Sequence, residues 1–182
     1  QDVQDRCGLF IQRPSGKGNK TRVNIFSERH QEFLKSLLRH EVKFILVGGH
    51  AAIYYGVNRN TGDLDILIEP TAANGLRLID SLKSLGLDVP DLKPAEFETK
   101  IILSFGLEPD AVDILNYTPG VDFPSAFANA LEIELSDITL KVINIQDLIR
   151  NKETLKREGE KSLMDRYDAE VLKKIIRKQK ED

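Results

Sequence analysis

A strand-like apolar run that breaks at two adjacent glycines is the feature that most constrains this chain. The run Phe44 to Val47 ends at Gly48 and Gly49, and a short helical segment, Ala51 to Tyr55, follows. Backbone N–H groups at the start of a helix have no partner within the helix, and the helix dipole favours an anion there. A residue without a Cβ lets an anion come close. The pattern therefore predicts an anion site formed by the backbone amides of Gly48 and Gly49.

Two aspartates stand at the start of the next apolar run, which extends to Glu69. Side chains alternate along a strand, so Asp63 and Asp65 should point the same way, roughly 6 to 7 Å apart. Two carboxylates that close repel each other, and a divalent cation relieves this repulsion more readily than two raised pKa values. The spacing predicts a Mg²⁺ site, with Mn²⁺ as the alternative ion. Metal-binding acids opposite a phosphate cradle indicate a nucleoside triphosphate (NTP).

An acid also interrupts a third apolar run, Ala111 to Tyr117, at Asp113. Burying a lone carboxylate in a strand is costly unless a partner neutralises it. We therefore expect Asp113 to be the third ligand of the same metal site, and a solvent-facing strand aspartate is the alternative. Asp110 is the fallback ligand, but it follows Pro109 and has the sequence context of a turn.

The chain resembles the minimal nucleotidyltransferases of the DNA polymerase β superfamily, especially the bacterial group that includes AbiEii-type toxins and small antibiotic nucleotidyltransferases. The motifs that carry the resemblance are Gly48-Gly49-x-Ala51, Gly56 and Arg59-x-Thr61-x-Asp63-x-Asp65. The resemblance extends over roughly residues 30 to 172, and the stretch from the glycines to the acids is its specific part.

The resemblance implies catalytic and metal-binding roles for the three acids. Asp63 and Asp65 would bridge two Mg²⁺ ions, and Asp113 would hold the catalytic ion and assist deprotonation of the acceptor. The backbone amides of Gly48 and Gly49 would hold the β- and γ-phosphates of the NTP.

Four further residues are candidate nucleotide contacts. Arg59 either adds positive charge beside the phosphates or pairs with an acid, and Thr61 is either a nucleotide contact or a cap. His50 is as consistent with a helix-start residue as with a phosphate ligand. Lys152 matches a helix lysine that faces the nucleotide in the family, with an exposed helix lysine as the alternative.

These features predict transfer of a nucleoside monophosphate from an NTP to an acceptor, with release of pyrophosphate. A small hydroxyl compound, a tRNA end and a protein side chain all stay open as acceptors. The rival hypothesis is a nucleotide-binding protein that is degenerate or silenced by a partner, such as the toxin of a toxin–antitoxin pair. All three acids and both glycines are present, which counts against degeneracy. Glycosyltransferases and haloacid-dehalogenase phosphatases also use Asp-x-Asp, but the order of strand, glycines and acids fits neither.

Apolar periodicity predicts an α+β fold, with helices packed on a β-sheet and a C-terminal helical segment, and the resemblance implies a mixed β-sheet of the nucleotidyltransferase type. The expected organisation is a flexible segment 1–22, a nucleotidyltransferase core 23–143 and C-terminal helices 144–182 packed on that core. Segment 1–22 has no sustained apolar period, and we interpret it as foreign to the functional chain, which then begins near Val23.

Several local elements carry predictions of their own. Residues 88–96, which contain two prolines, predict a loop, whereas Pro124 to Leu131 predict a short helix and Ile138 to Ile143 the last strand. Helical spacing near the C-terminus is kept by the apolar residues Leu163, Tyr167, Val171, Ile175 and Ile176, and two closing helices are expected to cover one side of the sheet.

Composition limits the partners of the protein. Its 182 residues, 41% hydrophobic and 30% charged, suit one domain with a substantial core. A net charge of −3, an aromatic content of 7% and the absence of Trp argue against a protein that coats nucleic acid.

The lone Cys7 excludes an intrachain disulfide. No apolar run reaches the roughly 18 residues of a membrane span, and no signal-peptide pattern is present, so a cytoplasmic protein is expected.

Overall fold

The computed structural model describes residues 25–135 and 138–181 of the chain. The helices are α1 (Glu28–Arg39), α2 (Gly48–Tyr55), α3 (Ala72–Ser84), α4 (Phe123–Asn129), α5 (Ile145–Thr154) and α6 (Gly159–Glu181), with a 3-10 helix at Pro94–Glu98. The strands are β1 (Phe44–Leu46), β2 (Asp63–Ile68), β3 (Ile102–Phe105), β4 (Ala111–Leu115), β5 (Leu131–Leu135) and β6 (Ile138–Val142). The expected segment 1–22 lies outside the described residues.

The six strands form one mixed sheet in the order β3-β4-β2-β1-β6-β5. Strand β2 pairs in parallel with β4 and antiparallel with β1, which is itself parallel to β6. The outer strands β3 and β5 each run antiparallel to their neighbour. The predicted α+β class with a mixed sheet is thus confirmed, while the nucleotidyltransferase type of the sheet stays a prediction.

The centre of the sheet is buried on both faces. All three residues of β1 are buried, as a central apolar strand requires. On β2 the residues that alternate with the acids, Leu64, Ile66 and Ile68, have no exposed surface. The two acids therefore stand on one face of a strand whose opposite face is fixed in the core.

Two predicted elements differ from the observed ones at their ends. Helix α4 ends at Asn129, and Leu131, which we expected in this helix, begins strand β5. The alternating sequence of β5 pairs residue by residue with β6, which gives these residues hydrogen bonds that a helix end would lack. The segment expected to be a loop runs into the 3-10 helix, whose Phe97 is fully buried against Gly75.

The apolar faces predicted for the closing helices are found in part, since Ile149 is buried and Val171 and Ile176 pack against the core. Helix α5 lies against α2 and α6, and Leu148 and Leu172 enter the core. The predicted face of α6 is wrong at its start, because Leu163 is 64% and Tyr167 47% exposed. The buried stripe of α6 instead begins with an aspartate, Asp165. None of the helices in the described residues combines the length and the apolar character that a membrane span requires.

Candidate functional site

Three aspartates converge on one face of the sheet. Asp63 and Asp65 lie on β2, and Asp113 on β4 is the direct register partner of Asp65 across the parallel pair. One carboxylate oxygen from each of the three lies within 4.8 Å of the others. All three side chains are half-buried. The geometry is thus that of three oxygen ligands open to one common point.

Two hydroxyl groups orient the outer acids of this cluster. Thr61 Oγ1 donates to Asp63 Oδ1 at 2.8 Å, and Ser104 Oγ donates to Asp113 Oδ1 at 2.6 Å. Each bond occupies one carboxylate oxygen and leaves the other available. Ser104 was missed by sequence reasoning, although a lone polar residue in the apolar strand β3 is a signal that could have identified it.

The carboxylate of Asp65 lies in an electrostatically unfavourable position. Burial, together with the smaller effect of the neighbouring Asp63 carboxylate, raises the pKa of its carboxyl group to about 6. The charge of Lys152 and the N–H of Gly49 act in the opposite direction but do not offset it. A site where negative charge is this unfavourable is suited to a hard divalent cation, which would neutralise that charge. The donor set therefore fits Mg²⁺ or Mn²⁺.

Gly48 and Gly49 place the start of α2 directly against the acids. Gly48 has a φ of +63°, and a Cβ there would overlap the Asp65 carboxylate. The N–H of Gly49 points to Asp65 Oδ2 at 3.4 Å, a long hydrogen bond. A Cβ on Gly49 would lie 2.5 Å from Thr61 Oγ1. Only glycine therefore allows the helix start and the acids to approach so closely.

A cavity of about 430 Å³ opens beside the acids. Asp63, Asp65 and Gly49 line it, together with the segment 59–62 that leads into β2. Its cationic lining residues are Arg59, Lys152, Arg157 and Lys161, and Glu108 and Asp165 add further acids. The cavity thus joins carboxylates, helix N–H groups and positive side chains, which together can bind an anion and a cation at once.

Two aspartates of α6 hold the cations nearest the acids. Arg59 donates through Nε and Nη2 to the two carboxylate oxygens of Asp168, at 2.8 and 3.0 Å. Lys152 Nζ lies 2.7 Å from Asp165 Oδ1 and 3.0 Å from Asp168 Oδ2. Lys152 is only 5% exposed, so the alternative of an exposed helix lysine is wrong. Of the two alternatives for Arg59, the structure has the pairing with an acid.

His50 lies behind the acids rather than in the cavity. Its side chain is 2% exposed, stacks on Phe26 and donates from Nδ1 to the backbone carbonyl of Asp63 at 2.9 Å. Burial, together with the smaller effect of the nearby His30, lowers the pKa of His50 to about 4. The imidazole is therefore a neutral group that fixes the start of β2, and we leave it out of the nucleotide contacts expected from the sequence.

The fallback acid is separate from the cluster. Asp110 lies in the turn before β4, where its N–H donates to the carbonyl of Leu107 and its carboxylate lies 3.7 Å from Arg29. Asp165 and Asp168, by contrast, belong to the site, although the sequence assigned them no role. The i, i+3 spacing of these two acids, which places them on the same face of a helix, was the sequence signal that could have identified them. Their partners Arg59 and Lys152, however, cannot be identified from the neighbouring sequence.

A scan against protein-family models finds no match for this chain, and neither does a search of curated proteins.

Proposed function

We propose that this protein is a Mg²⁺-dependent nucleotidyltransferase, which moves a nucleoside monophosphate from an NTP to a hydroxyl acceptor and releases pyrophosphate. The observation that carries the proposal is the convergence of three carboxylates on adjoining strands. The glycine-led start of α2 lies against the same carboxylates, which supports a phosphate as their neighbour.

The cationic residues that line the cavity beside the acids, Arg59, Lys152, Arg157 and Lys161, support a polyphosphate substrate. In the proposed complex the first-turn amides of α2, at Gly48 and Gly49, bind the β- and γ-phosphates. Arg59 and Lys152, each paired with an aspartate of α6, line the same side of the cavity, where Lys161 supplies further positive charge. Because Asp168 and Asp165 hold both side chains in place, little conformational entropy is lost when the phosphates bind.

The transfer step joins the acceptor to the α-phosphorus. The hydroxyl oxygen of the acceptor forms a bond to this phosphorus, and the bond from the phosphorus to the oxygen of the leaving pyrophosphate breaks. Asp113 accepts the hydroxyl proton. A divalent cation held by Asp63, Asp65 and Asp113 would neutralise the negative charge that builds up on the transferring group.

The direct test removes the two acids of β2. Asp63→Asn together with Asp65→Asn should abolish transfer from NTP labelled at the α-phosphate, whereas the circular dichroism spectrum should stay that of the wild type. Asp110→Asn is the matched control, since this acid lies just before β4 but outside the cluster. Undiminished transfer by the double variant would refute the proposal.

The rival is a protein that binds nucleotide without turning it over. Calorimetry with NTP and Mg²⁺, followed by an assay for released pyrophosphate, separates the two. Binding without any pyrophosphate, in the presence of hydroxyl compounds, RNA and protein, would favour the binding protein. A partner that silences the enzyme and a cytoplasmic location both stay predictions of the sequence.

A further inference from the structure

Two buried histidines anchor the strands that carry the acids. His50, from α2, donates from Nδ1 to the backbone carbonyl of Asp63 at 2.9 Å. His30, from α1, donates from Nε2 to the backbone carbonyl of Ala111 at 3.0 Å. Asp63 and Ala111 are register partners at the start of β2 and β4. The two strands are therefore held at the same level, each by an imidazole from a different helix.

The two imidazoles also contact each other. Their ring centroids lie 5.4 Å apart at an interplanar angle of 87°, which is an edge-to-face contact. Phe26 stacks on His50, with the ring centroids 4.9 Å apart. All three side chains are buried. The histidines thus form a buried connection between β2 and β4 that is separate from the hydrogen bonds between the strands.

This connection lies close to the acids along the chain. Asp63 is itself one of the three acids, and Asp113 follows Ala111 by two residues on the same face of β4. A displacement of Ala111 relative to β2 would carry Asp113 with it, because both belong to one short strand. The distance between the carboxylate of Asp113 and those on β2 is therefore constrained by the histidine contacts.

His30 has an unpaired atom that packing alone does not explain. Its Nδ1 is buried and has no hydrogen-bond partner among the described residues. Burial lowers the pKa of His30, so the ring is neutral, and its single N–H is directed to the carbonyl of Ala111. A buried polar atom without a partner is costly and calls for a reason. An aliphatic side chain would avoid this cost but could not donate to the carbonyl.

We propose that His30 is a positioning residue for the metal site. Its hydrogen bond to Ala111, supported by the contact with His50, holds Asp113 at the distance from the acids of β2 at which one divalent cation binds all three carboxylates. His30 does not line the cavity beside the acids, so it acts on the cation only through β4. This inference rests on the metal site of the proposed transferase.

Binding of Mn²⁺ tests the role without any transfer reaction. Mn²⁺ alone is titrated into the full chain, and the free ion is measured by its electron paramagnetic resonance signal. His30→Leu removes the donor and should raise the Kd for Mn²⁺ by about fivefold, just below the roughly 10- to 100-fold effect of groups that contact a metal ligand directly. His30→Gln keeps an N–H donor for the carbonyl and should stay within about twofold of the wild type.

The matched control is His40→Leu. His40 follows the same helix, and its Nδ1 also donates to a backbone carbonyl, that of Ser36 at 2.9 Å. This carbonyl belongs to α1 rather than to a strand with acids, so the Kd for Mn²⁺ should equal that of the wild type. A similar increase in Kd for His40→Leu and His30→Leu would overturn the positioning role.

The remaining outcomes separate this role from the transfer itself. An unchanged Kd in His30→Leu, or an equal increase in His30→Leu and His30→Gln, would overturn the positioning role and leave the proposed transfer intact. If the wild type bound no Mn²⁺, both the positioning role and the proposed transfer would be overturned.

A measurement on the wild type decides the matter even if His30→Leu does not fold. In protein labelled with ¹⁵N at histidine, the ring signals are assigned from the spectra of His30→Gln and His40→Leu. Mg²⁺ should shift the signals of His30 and His50 along one titration curve, because both rings contact strands that hold the cation, and should leave His40 unchanged. A His30 signal that does not respond to Mg²⁺ would overturn the proposal.

Discussion

Ser104 on β3 donates a hydrogen bond of 2.6 Å to Asp113, its register partner on β4. A hydroxyl bound this closely to a carboxylate fixes which oxygen stays free for other ligands. Ser104→Ala should therefore raise the Mg²⁺ concentration for half-maximal transfer by about tenfold, the usual scale for a group that orients a metal ligand. Ser104→Thr keeps the hydroxyl and should restore the wild-type value. A Mg²⁺ titration of the transfer rate gives the answer, and identical curves for the Ala and Thr variants would contradict the prediction.

A comparison of Gly48 with Gly86 separates the cost of backbone strain from the cost of overlap with Asp65. Gly48 and Gly86 both have positive φ, at +63° and +74°, but only at Gly48 would a Cβ meet other atoms, those of Asp65. Gly86→Ala should lower the free energy of unfolding by roughly 1 kcal/mol through backbone strain alone. Gly48→Ala should cost more and should also abolish transfer, because Asp65 must move. Urea denaturation and a transfer assay measure both effects. Equal costs with activity retained in both variants would show that the close approach does not matter.

Asp168 should be important for stability as well as for the site. The carboxylate is fully buried between Arg59 and Lys152, so its removal leaves the buried Lys152 and the half-buried Arg59 with less compensation. Asp168→Asn should lower the free energy of unfolding by about 3 kcal/mol, the scale for breaking a buried ion pair. Glu170→Gln on the same helix is the control, because Glu170 is exposed and should change little. A chemical denaturation curve for Asp168→Asn that overlays the wild type would refute the buried network.

His50 should make the fold sensitive to acid. Its folded pKa of about 4 lies below the ordinary value of 6.5, because burial disfavours the charged ring. Below pH 6.5 the unfolded chain takes up a proton that the folded chain refuses, so stability falls as pH decreases and levels off near pH 4. Between about pH 7.5 and 5 this costs on the order of 2 kcal/mol.

The variant His50→Gln isolates this contribution. Glutamine keeps a donor for the carbonyl of Asp63 but does not titrate. The raised pKa of Asp65 has the opposite effect on stability, because here the folded state binds the extra proton as pH decreases. Asp65 is present in both the wild type and the variant, so its contribution largely cancels in the difference between them. The difference in unfolding free energy between wild type and variant should therefore change with pH. A difference that stays constant over this range would contradict the prediction.

Local sequence patterns were sufficient to predict that Asp63 and Asp65 lie on the same face of a strand. Alternation along a strand places Asp63 and Asp65 on one face whatever the rest of the chain does, because the period of two is a backbone property. The position of Asp113 beside them depends on β4 being the neighbour of β2, which is a matter of topology. We inferred that Asp113 lies close to Asp63 and Asp65 from the cost of a buried acid and from the family resemblance. The periodicity of the sequence does not tell which strands are neighbours.

The packing of α6 could not be read in the same way. Its buried residues are Asp165, Asp168, Ala169 and Leu172, a helical stripe in which half of the side chains are charged. A search for apolar spacing passes over such a stripe and selects Leu163 and Tyr167, which are exposed. The stripe is stable only because Arg59 and Lys152 meet it from other parts of the chain, and those partners become visible only in three dimensions.

The link between Arg59 and Asp168 joins positions 109 residues apart. A growing polypeptide leaves the ribosome from its amino end, so the strand acids and the glycines emerge long before Asp168 has been added. Until Asp168 has been added, the guanidinium of Arg59 and the ammonium of Lys152 lack the carboxylate with which both of them pair. Any chemistry that needs both cations in place is thereby confined to molecules in which α6 has already been synthesised.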